Sequence, residues 1–239
     1  MHIIVDILIL SILAFCAWQG YKRGIIGGTL AVAFIIVAIW GGNLIADTHS
    51  DEFTTMFRPF VSGYLDRVEV ESVEILVPEE SRHLSTEDLM RLDPRLEPEL
   101  ASQVFLELGV YETRTEKLVE RYFYYRDGIE ETTMNQAMTN VLVYAFSFLL
   151  LFVIAFLLIL IGLTVIYNII HLSFRLPGFK LVDSIGGGVF GFFQGLLFVL
   201  MLTWLLGYAS LILPEGLVVR TWVTEFFVRH NPMTWFINL

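Results

Sequence analysis

The sequence is short of cysteine and of charge, and each shortage excludes a class of protein. Cys16 is the only cysteine, so a disulfide within the chain is excluded. Charged residues make up 17% of the 239 residues, against about 25% in an average soluble domain. Hydrophobic residues make up 56%. This balance indicates a membrane protein rather than an ordinary soluble domain.

Catalytic motifs are missing as well. The sequence has no H-E-x-x-H zinc motif, no G-x-S-x-G elbow and no phosphate-binding P-loop. The run Gly186-Gly187-Gly188 opens an apolar helix and follows no strand, which favours helix packing over nucleotide binding. We therefore predict no enzyme activity, no metal site and no cofactor. The five histidines are scattered along the chain: His2, His49, His83, His171 and His230.

Four apolar stretches approach or exceed the roughly 20 residues that a transmembrane helix needs. They are 3–19, 24–46, 141–170 and 185–213. The sequence therefore predicts an all-α integral membrane protein with four transmembrane helices. Its predicted segments are transmembrane helices 1 and 2 in 1–46, an acidic insertion in 47–136, transmembrane helices 3 and 4 in 137–213, and an interfacial amphipathic tail in 214–239.

Basic residues beside the apolar stretches predict the orientation. Lys22 and Arg23 lie between the first two stretches, and Arg175 and Lys180 lie between the last two. The positive-inside rule places all four in the cytoplasm. Both termini and the acidic insertion are then predicted to be extracytoplasmic. Because the acidic Asp6 comes first and the basic pair comes only after the apolar run, the N-terminus does not have the order of a secretory signal.

The acidic insertion contains 21 of the 25 acidic residues and 9 of the 15 basic ones. Ser85 is a predicted helix cap, Pro98 opens a second helix that Gly109 can close, and a third helix starts near Thr113. Residues 68–75 hold no strict period, so strand or irregular structure is expected there.

Two aromatic segments are predicted to lie at the membrane interface. The run Tyr122-Phe123-Tyr124-Tyr125 precedes the third stretch and fits an interfacial belt better than a binding platform. In the tail, apolar residues recur at helical spacing, which predicts a surface helix. These are Val219, Val223, Phe226 and Phe227.

Glycines at every fourth position predict close helix packing. Gly187, Gly191 and Gly195 form one such series in the last stretch, and small residues at this spacing let helix backbones approach each other in a membrane. A second series begins between the first two stretches, continues into the second, and consists of Gly20, Gly24 and Gly28.

Two carboxylates near the ends of apolar stretches are candidate polar sites. Asp6 lies near the outer end of the first stretch and Asp183 near the inner end of the last. For Asp183 we favour an N-terminal cap of its own helix over a proton or ion site.

The segment Trp18-Gln19-Gly20-Tyr21-Lys22-Arg23-Gly24, together with Leu176-Pro177-Gly178 leading to Asp183 and the later glycine series, resembles the CvpA family of bacterial inner-membrane proteins. The resemblance covers about the first 46 residues and residues 139–213. Two features depart from the family pattern. Gln194 stands where the family commonly has an arginine, and the insertion is longer than the family's short connection.

The resemblance implies a multi-pass protein of the bacterial inner membrane, linked to envelope maintenance or toxin export and without an established enzymatic activity. We expect a non-enzymatic scaffold that associates through glycine-faced helices. Its expected partners are the lipid bilayer and either a second copy or another membrane protein, with no nucleic acid and with a small-molecule substrate unknown. The alternatives are an oligomeric channel or transporter subunit, with Asp6, Asn43, Asn168 or Asp183 lining a polar path, and a membrane enzyme built from dispersed residues.

Overall fold

The computed structural model describes residues 2–110, 112–127, 132–170, 180–208, 226–227, 230–237 and 239. Within these ranges the chain is helical with short connections and contains no strand, which confirms the all-α prediction. The α-helices are α1 His2–Leu76, α2 Thr86–Leu92, α3 Leu96–Glu107, α4 Glu112–Asp127, α5 Met134–Ile170 and α6 Lys180–Leu206. Two short 3₁₀ helices cover Glu79–Ser81 and Pro232–Trp235.

Helix α1 is broken at Gly24. This residue has φ 78° and ψ 179°, a backbone conformation that is essentially restricted to glycine. The residues before the break, 2–23, are termed α1N, and the residues after it, 25–76, are termed α1C.

Three helices are long and apolar enough to cross a membrane, namely Asp6–Pro59, Met134–Ile169 and Leu181–Leu206. The first of them contains the break, so the predicted first and second spans both lie in α1. The predicted end of the second span at Ala46 is not a helix end, because α1C continues to Leu76. The predicted residues 209–213 of the fourth span lie outside the described part of the chain.

The chain divides into two compact units. Unit 1 comprises 1–47, 150–206 and 219–238, and unit 2 comprises 48–149, 207–218 and 239. Unit 1 therefore takes in all of α1N, the first part of α1C, most of α5 and all of α6.

Within unit 1, α1N lies antiparallel to α6. Gly195 lies against Leu13, and Gly187, which is two turns earlier in α6, lies against Gly20. The sequence number thus rises along α1N as it falls along α6. Both contacts join a glycine to the neighbouring backbone.

After the break, α1C runs parallel to α6. Gly28 lies against Gly187 and Phe190, and further along both helices Phe34 and Phe198 line one cavity. Numbers now rise together on the two helices. The chain therefore turns back on itself at the break. α1N and α1C are separate helices that run antiparallel to each other, and both pack on α6.

Helix α5 completes the packing of unit 1. The Phe156 ring lies 6.2 Å from that of Phe198, and the Phe152 ring lies 5.4 Å from that of Trp204, both edge to face. Gly42 of α1C lies against the backbone of Phe152 and Phe156. These contacts give α5 a direction opposite to that of both α6 and α1C.

Unit 2 is built around a buried face shared by α3 and α4. Its core includes Leu100, Val104, Phe105, Leu118 and Tyr122, each at most 1% exposed. The predicted cap at Ser85 is confirmed, since its hydroxyl accepts from the amide of Asp88 at 3.2 Å. Gly109 follows α3 with φ 79°, as expected of a glycine that closes a helix.

The predicted strand or irregular structure at residues 68–75 is wrong, because α1C continues through this segment. Leu65, Val68 and Ser72 recur at helical spacing and are all buried. The Ser72 hydroxyl donates to the carbonyl of Val68 at 2.8 Å, so its polar group is satisfied within the helix.

Much of the predicted surface helix in the tail lies outside the described residues. Val219 and Val223 are among these, whereas Phe226 and Phe227 are helical. Further on, the amide of Asn231 donates to the carbonyl of Leu200 at 2.7 Å and to the hydroxyl of Thr203 at 3.1 Å. The described end of the tail is therefore attached to α6 by hydrogen bonds.

Candidate functional site

The break in α1 is closed by a carboxylate from the other end of the sequence. Asp183 is 5% exposed, and its Oδ1 accepts from the backbone amide of Ile25 at 2.9 Å. Ile25 is the first residue of α1C, where amides have no partner within their own helix. The carboxylate satisfies one of these amides and places negative charge at the positive end of the helix dipole.

The helix that Asp183 caps is not the predicted one. Helix α6 begins at Lys180 rather than at Ile185, so Asp183 lies inside its first turn. The carboxylate therefore reaches across to a helix 158 residues earlier in the sequence. Sequence spacing shows that a residue precedes a helix, but it does not show which neighbouring helix end the side chain meets.

Asp183→Asn should retain most of the stability of unit 1, and Asp183→Ala should lose about 1–3 kcal/mol. Asparagine keeps an oxygen that can accept from Ile25, whereas alanine leaves that amide unpaired in a partly buried position. Thermal unfolding of the two purified variants in detergent measures the difference. Equal midpoints for Asn and Ala would show that the bond to Ile25 does not hold the break together.

The predicted packing glycines lie at the interfaces around this break. A methyl group added at Gly191 would lie 2.9 Å from the Cα of Gly20, and one added at Gly195 would lie 3.1 Å from the Cβ of Cys16. One added at Gly28 would lie 2.9 Å from the Cβ of Phe190. These glycines face residues of their own chain, and their role in self-association stays a prediction.

A cavity of about 160 Å³ lies in unit 1 beside the break, between α1C, α5 and α6. Apolar walls are formed by Leu30, Ala31, Phe34, Leu160 and Phe198. The polar lining consists of Arg23, Thr164, Tyr167, Asn168 and Gln194. Half of this lining can donate or accept hydrogen bonds, which is unusual for the interior of an apolar helix bundle.

One polar atom of the cavity lining is unsatisfied. The Oε1 of Gln194 is enclosed and has no hydrogen-bond partner among the described residues. An enclosed acceptor without a donor costs about 1–3 kcal/mol. This oxygen has almost no accessible surface, so it is enclosed by protein atoms rather than open to the cavity.

The predicted topology residues have different environments. Lys22 lies over the ring of Trp18 at 3.5 Å, and Arg23 lines the cavity. Arg175 lies outside the described residues, and Lys180 begins α6.

The remaining predicted polar residues do not converge on the cavity. Asp6 is half-buried and lies about four to five turns of α1N before the break. Asn43 is 9% exposed and lies in α1C, about one helical turn before Asp47, where the first segment of unit 1 ends. Of the four residues proposed for a polar path, Asn168 alone is among those lining the cavity.

Unit 2 contains a polar network that the sequence did not reveal. Arg126 donates to Glu97 at 3.0 Å and to Glu87 at 2.9 Å, and the hydroxyl of Tyr122 donates to Glu97 at 2.6 Å. The other oxygen of Glu87 accepts from the amide of Met134, which begins α5, at 2.7 Å. One arginine thus connects α2, α3 and α4, and Glu87 extends the network to α5.

Tyr122 belongs to the core of unit 2. It is fully buried, and burial together with the bond to Glu97 raises the pKa of its hydroxyl well above the usual range. The prediction of an interfacial belt is therefore wrong for this residue, whereas Tyr124 is 76% exposed. The spacing of Tyr122 and Arg126, one helical turn apart, was the available signal.

In the described part of the chain, no group of three or more His, Cys, Asp or Glu side chains is placed to hold a metal ion. The carboxylates of the network accept from Arg126, Tyr122 and Met134. Their arrangement is that of a structural connection between helices.

Three long apolar helices, together with the glycine-lined packing of α6, indicate an α-helical membrane protein. Residues 123–232 match a family model described as Colicin V production protein. The match covers a little under half of the chain and supports membership of this family, the CvpA family, in agreement with the resemblance inferred from the sequence. The match includes α5 and α6, whereas the Trp18–Gly24 motif lies before it.

No curated protein matches this chain, and no solved structure matches it. The family match suggests a membrane protein linked to colicin V production, and the family is not a known enzyme family.

Proposed function

We propose that the chain is a non-enzymatic assembly subunit of the bacterial inner membrane, acting in toxin export or envelope maintenance. The observation that carries the proposal is the close contact of α6 with both halves of α1. Backbone meets backbone at Gly20, Gly187 and Gly191, and Asp183 holds the break. Contacts of this kind support a rigid membrane core that can carry other components.

Four membrane crossings follow from the same contacts in this proposal. The reversal at Gly24 makes α1N and α1C separate crossings, and α5 and α6 supply two more. Lys22 and Arg23 then lie at the cytoplasmic end by the positive-inside rule. Both termini and the acidic insertion are extracytoplasmic in this arrangement.

The surface available for assembly is the face of α6 opposite its glycines. Val189, Phe192 and Phe193 lie on it and are 50%, 46% and 49% exposed. Since the glycines of α6 pack within the chain, we assign self-association to this aromatic face and no longer to the glycine face.

Phe192→Cys, in a Cys16→Ala background, should form covalent dimers when native membranes are treated with a short bifunctional maleimide. The matched control is Val199→Cys in the same helix, which is fully buried and should stay monomeric. Denaturing gels give the readout. If cysteine variants at Phe192, Phe193 and Val189 all gave only monomers, self-assembly through this face would be contradicted.

A channel or transporter subunit is the second candidate, and the polar cavity is the observation that favours it. Arg23 and Asn168 line this cavity, but Asp6, Asn43 and Asp183 are not among its lining residues. A conduit would need a further polar stretch to reach the other end of unit 1. The cavity therefore supports local binding better than passage.

A further inference from the structure

We infer that the cavity between α1C, α5 and α6 binds the headgroup of an anionic, hydroxyl-bearing phospholipid of the phosphatidylglycerol type. The inference rests on the membrane orientation proposed above and is independent of self-assembly. It concerns a binding site for a lipid, beyond the general contact that any membrane protein makes with the bilayer.

The cation at the cavity indicates the charge of the ligand. Arg23 is exposed and has no ion-pair partner among the described residues, and it is the only charged side chain among those lining the cavity. A guanidinium offers several donors in a planar fork that matches the oxygens of a phosphate. At the cytoplasmic end of a membrane helix, the commonest source of such oxygens is an anionic lipid headgroup.

A polar side chain of α5 indicates a second property of the ligand. Asn168 lines the cavity, and its side-chain amide carries an oxygen that accepts hydrogen bonds. An ionised phosphate diester has no hydrogen to donate to this oxygen. A glycerol headgroup carries hydroxyl donors beside its phosphate and can bind Asn168 and Arg23 together.

The surroundings of the cavity favour an amphiphile over a soluble phosphate. Phe34 and Phe198 form part of its wall. On α5, the lining residue Thr164 is exposed next to Ile161 and Val165, which are 58% and 49% exposed. Acyl chains can therefore lie on an apolar surface that continues from the polar lining.

The test measures lipid binding to the purified full-length protein in a neutral detergent by native mass spectrometry. Phosphatidylglycerol should bind about tenfold more tightly than phosphatidylcholine, because only the former carries a net negative charge for Arg23. Water-soluble sn-glycerol 3-phosphate should not compete with it. Competition at equal concentration would show a site for soluble phosphates and would overturn the lipid assignment.

Arg23→Gln should weaken phosphatidylglycerol binding about tenfold, the effect expected for one charge-assisted contact. Lys22→Gln is the matched control, because Lys22 is the adjacent cation but lies over Trp18 and does not line the cavity. Equal losses in the two variants would show general attraction to surface charge and would overturn the site. Arg23→Lys should keep part of the affinity, and circular dichroism of each variant should match that of the unmodified protein.

Asn168→Leu tests the headgroup hydroxyls. Phosphatidylmethanol shares the phosphate diester but lacks the headgroup hydroxyls, so the unmodified protein should prefer phosphatidylglycerol to phosphatidylmethanol. Asn168→Leu should remove this preference while leaving the contact with Arg23 intact. An unchanged ratio in this variant would contradict the role of Asn168 in recognising the headgroup.

Discussion

Gly187→Ala should prevent unit 1 from folding stably, whereas Gly188→Ala, one residue further along α6, should have little effect. A methyl group at Gly187 would lie 2.6 Å from the carbonyl carbon of Gly24 and 2.7 Å from its oxygen. These are backbone atoms, which cannot move aside as a flexible side chain can. We expect a loss of about 3 kcal/mol or more, at the upper end of the usual cost of overpacking.

The control variant, Gly188→Ala, adds the same methyl group to the same helix but on a face that is not tightly packed. At Gly188 the nearest atom would be the Cβ of Tyr21 at 3.7 Å, which is an ordinary van der Waals distance. Thermal unfolding followed by size-exclusion chromatography in detergent compares the two variants. Similar unfolding midpoints would show that α1N and α6 are not in close contact at Gly187.

Gly24→Ala should have the second largest effect, and for two reasons that add. Any residue with a side chain is strained by about 1–3 kcal/mol in this region of the Ramachandran map. The methyl group would also lie 2.8 Å from the carboxyl carbon of Asp183, the group that caps α1C. We therefore expect the substitution to displace Asp183 and to release the amide of Ile25.

Gly162→Ala is the control for replacing a glycine in a membrane helix. An added methyl group at Gly162 would meet no atom within 4 Å, so alanine should leave stability unchanged or raise it by up to about 1 kcal/mol. Unfolding midpoints of both variants, measured in the same detergent, give the comparison. If Gly24→Ala also left the midpoint unchanged, the break could not require glycine.

Local chemistry at helix ends is predictable from the sequence because the interacting groups are neighbours in the chain. Ser85 and Asp88 lie three residues apart, and their spacing was sufficient to predict the cap of α2. Gly109 is a similar case, since a helix that ends needs a residue free to adopt positive φ. Such predictions depend on a few consecutive residues and on no other part of the fold.

The extent of α1C was harder to predict because its pattern changes along its length. The apolar run ends at Ala46, and charged residues follow, yet the helix continues to Leu76. Leu65 and Val68 are buried, and they belong to a helical stripe that is too sparse to recognise in the sequence alone. Tertiary packing determined the outcome where the local signal was weak.

The sequence by itself was sufficient to predict a helical membrane protein that resembles the CvpA family and has glycines spaced for close helix packing. Length, hydropathy and glycine spacing are properties of single segments, so each can be read without knowing its neighbours. Only the tertiary structure decided that Gly187 faces Gly20, that Asp183 caps α1C, and that Arg23 and Gln194 share a cavity. Each of these pairs joins residues more than 150 positions apart, and such contacts depend on how the helices pack together.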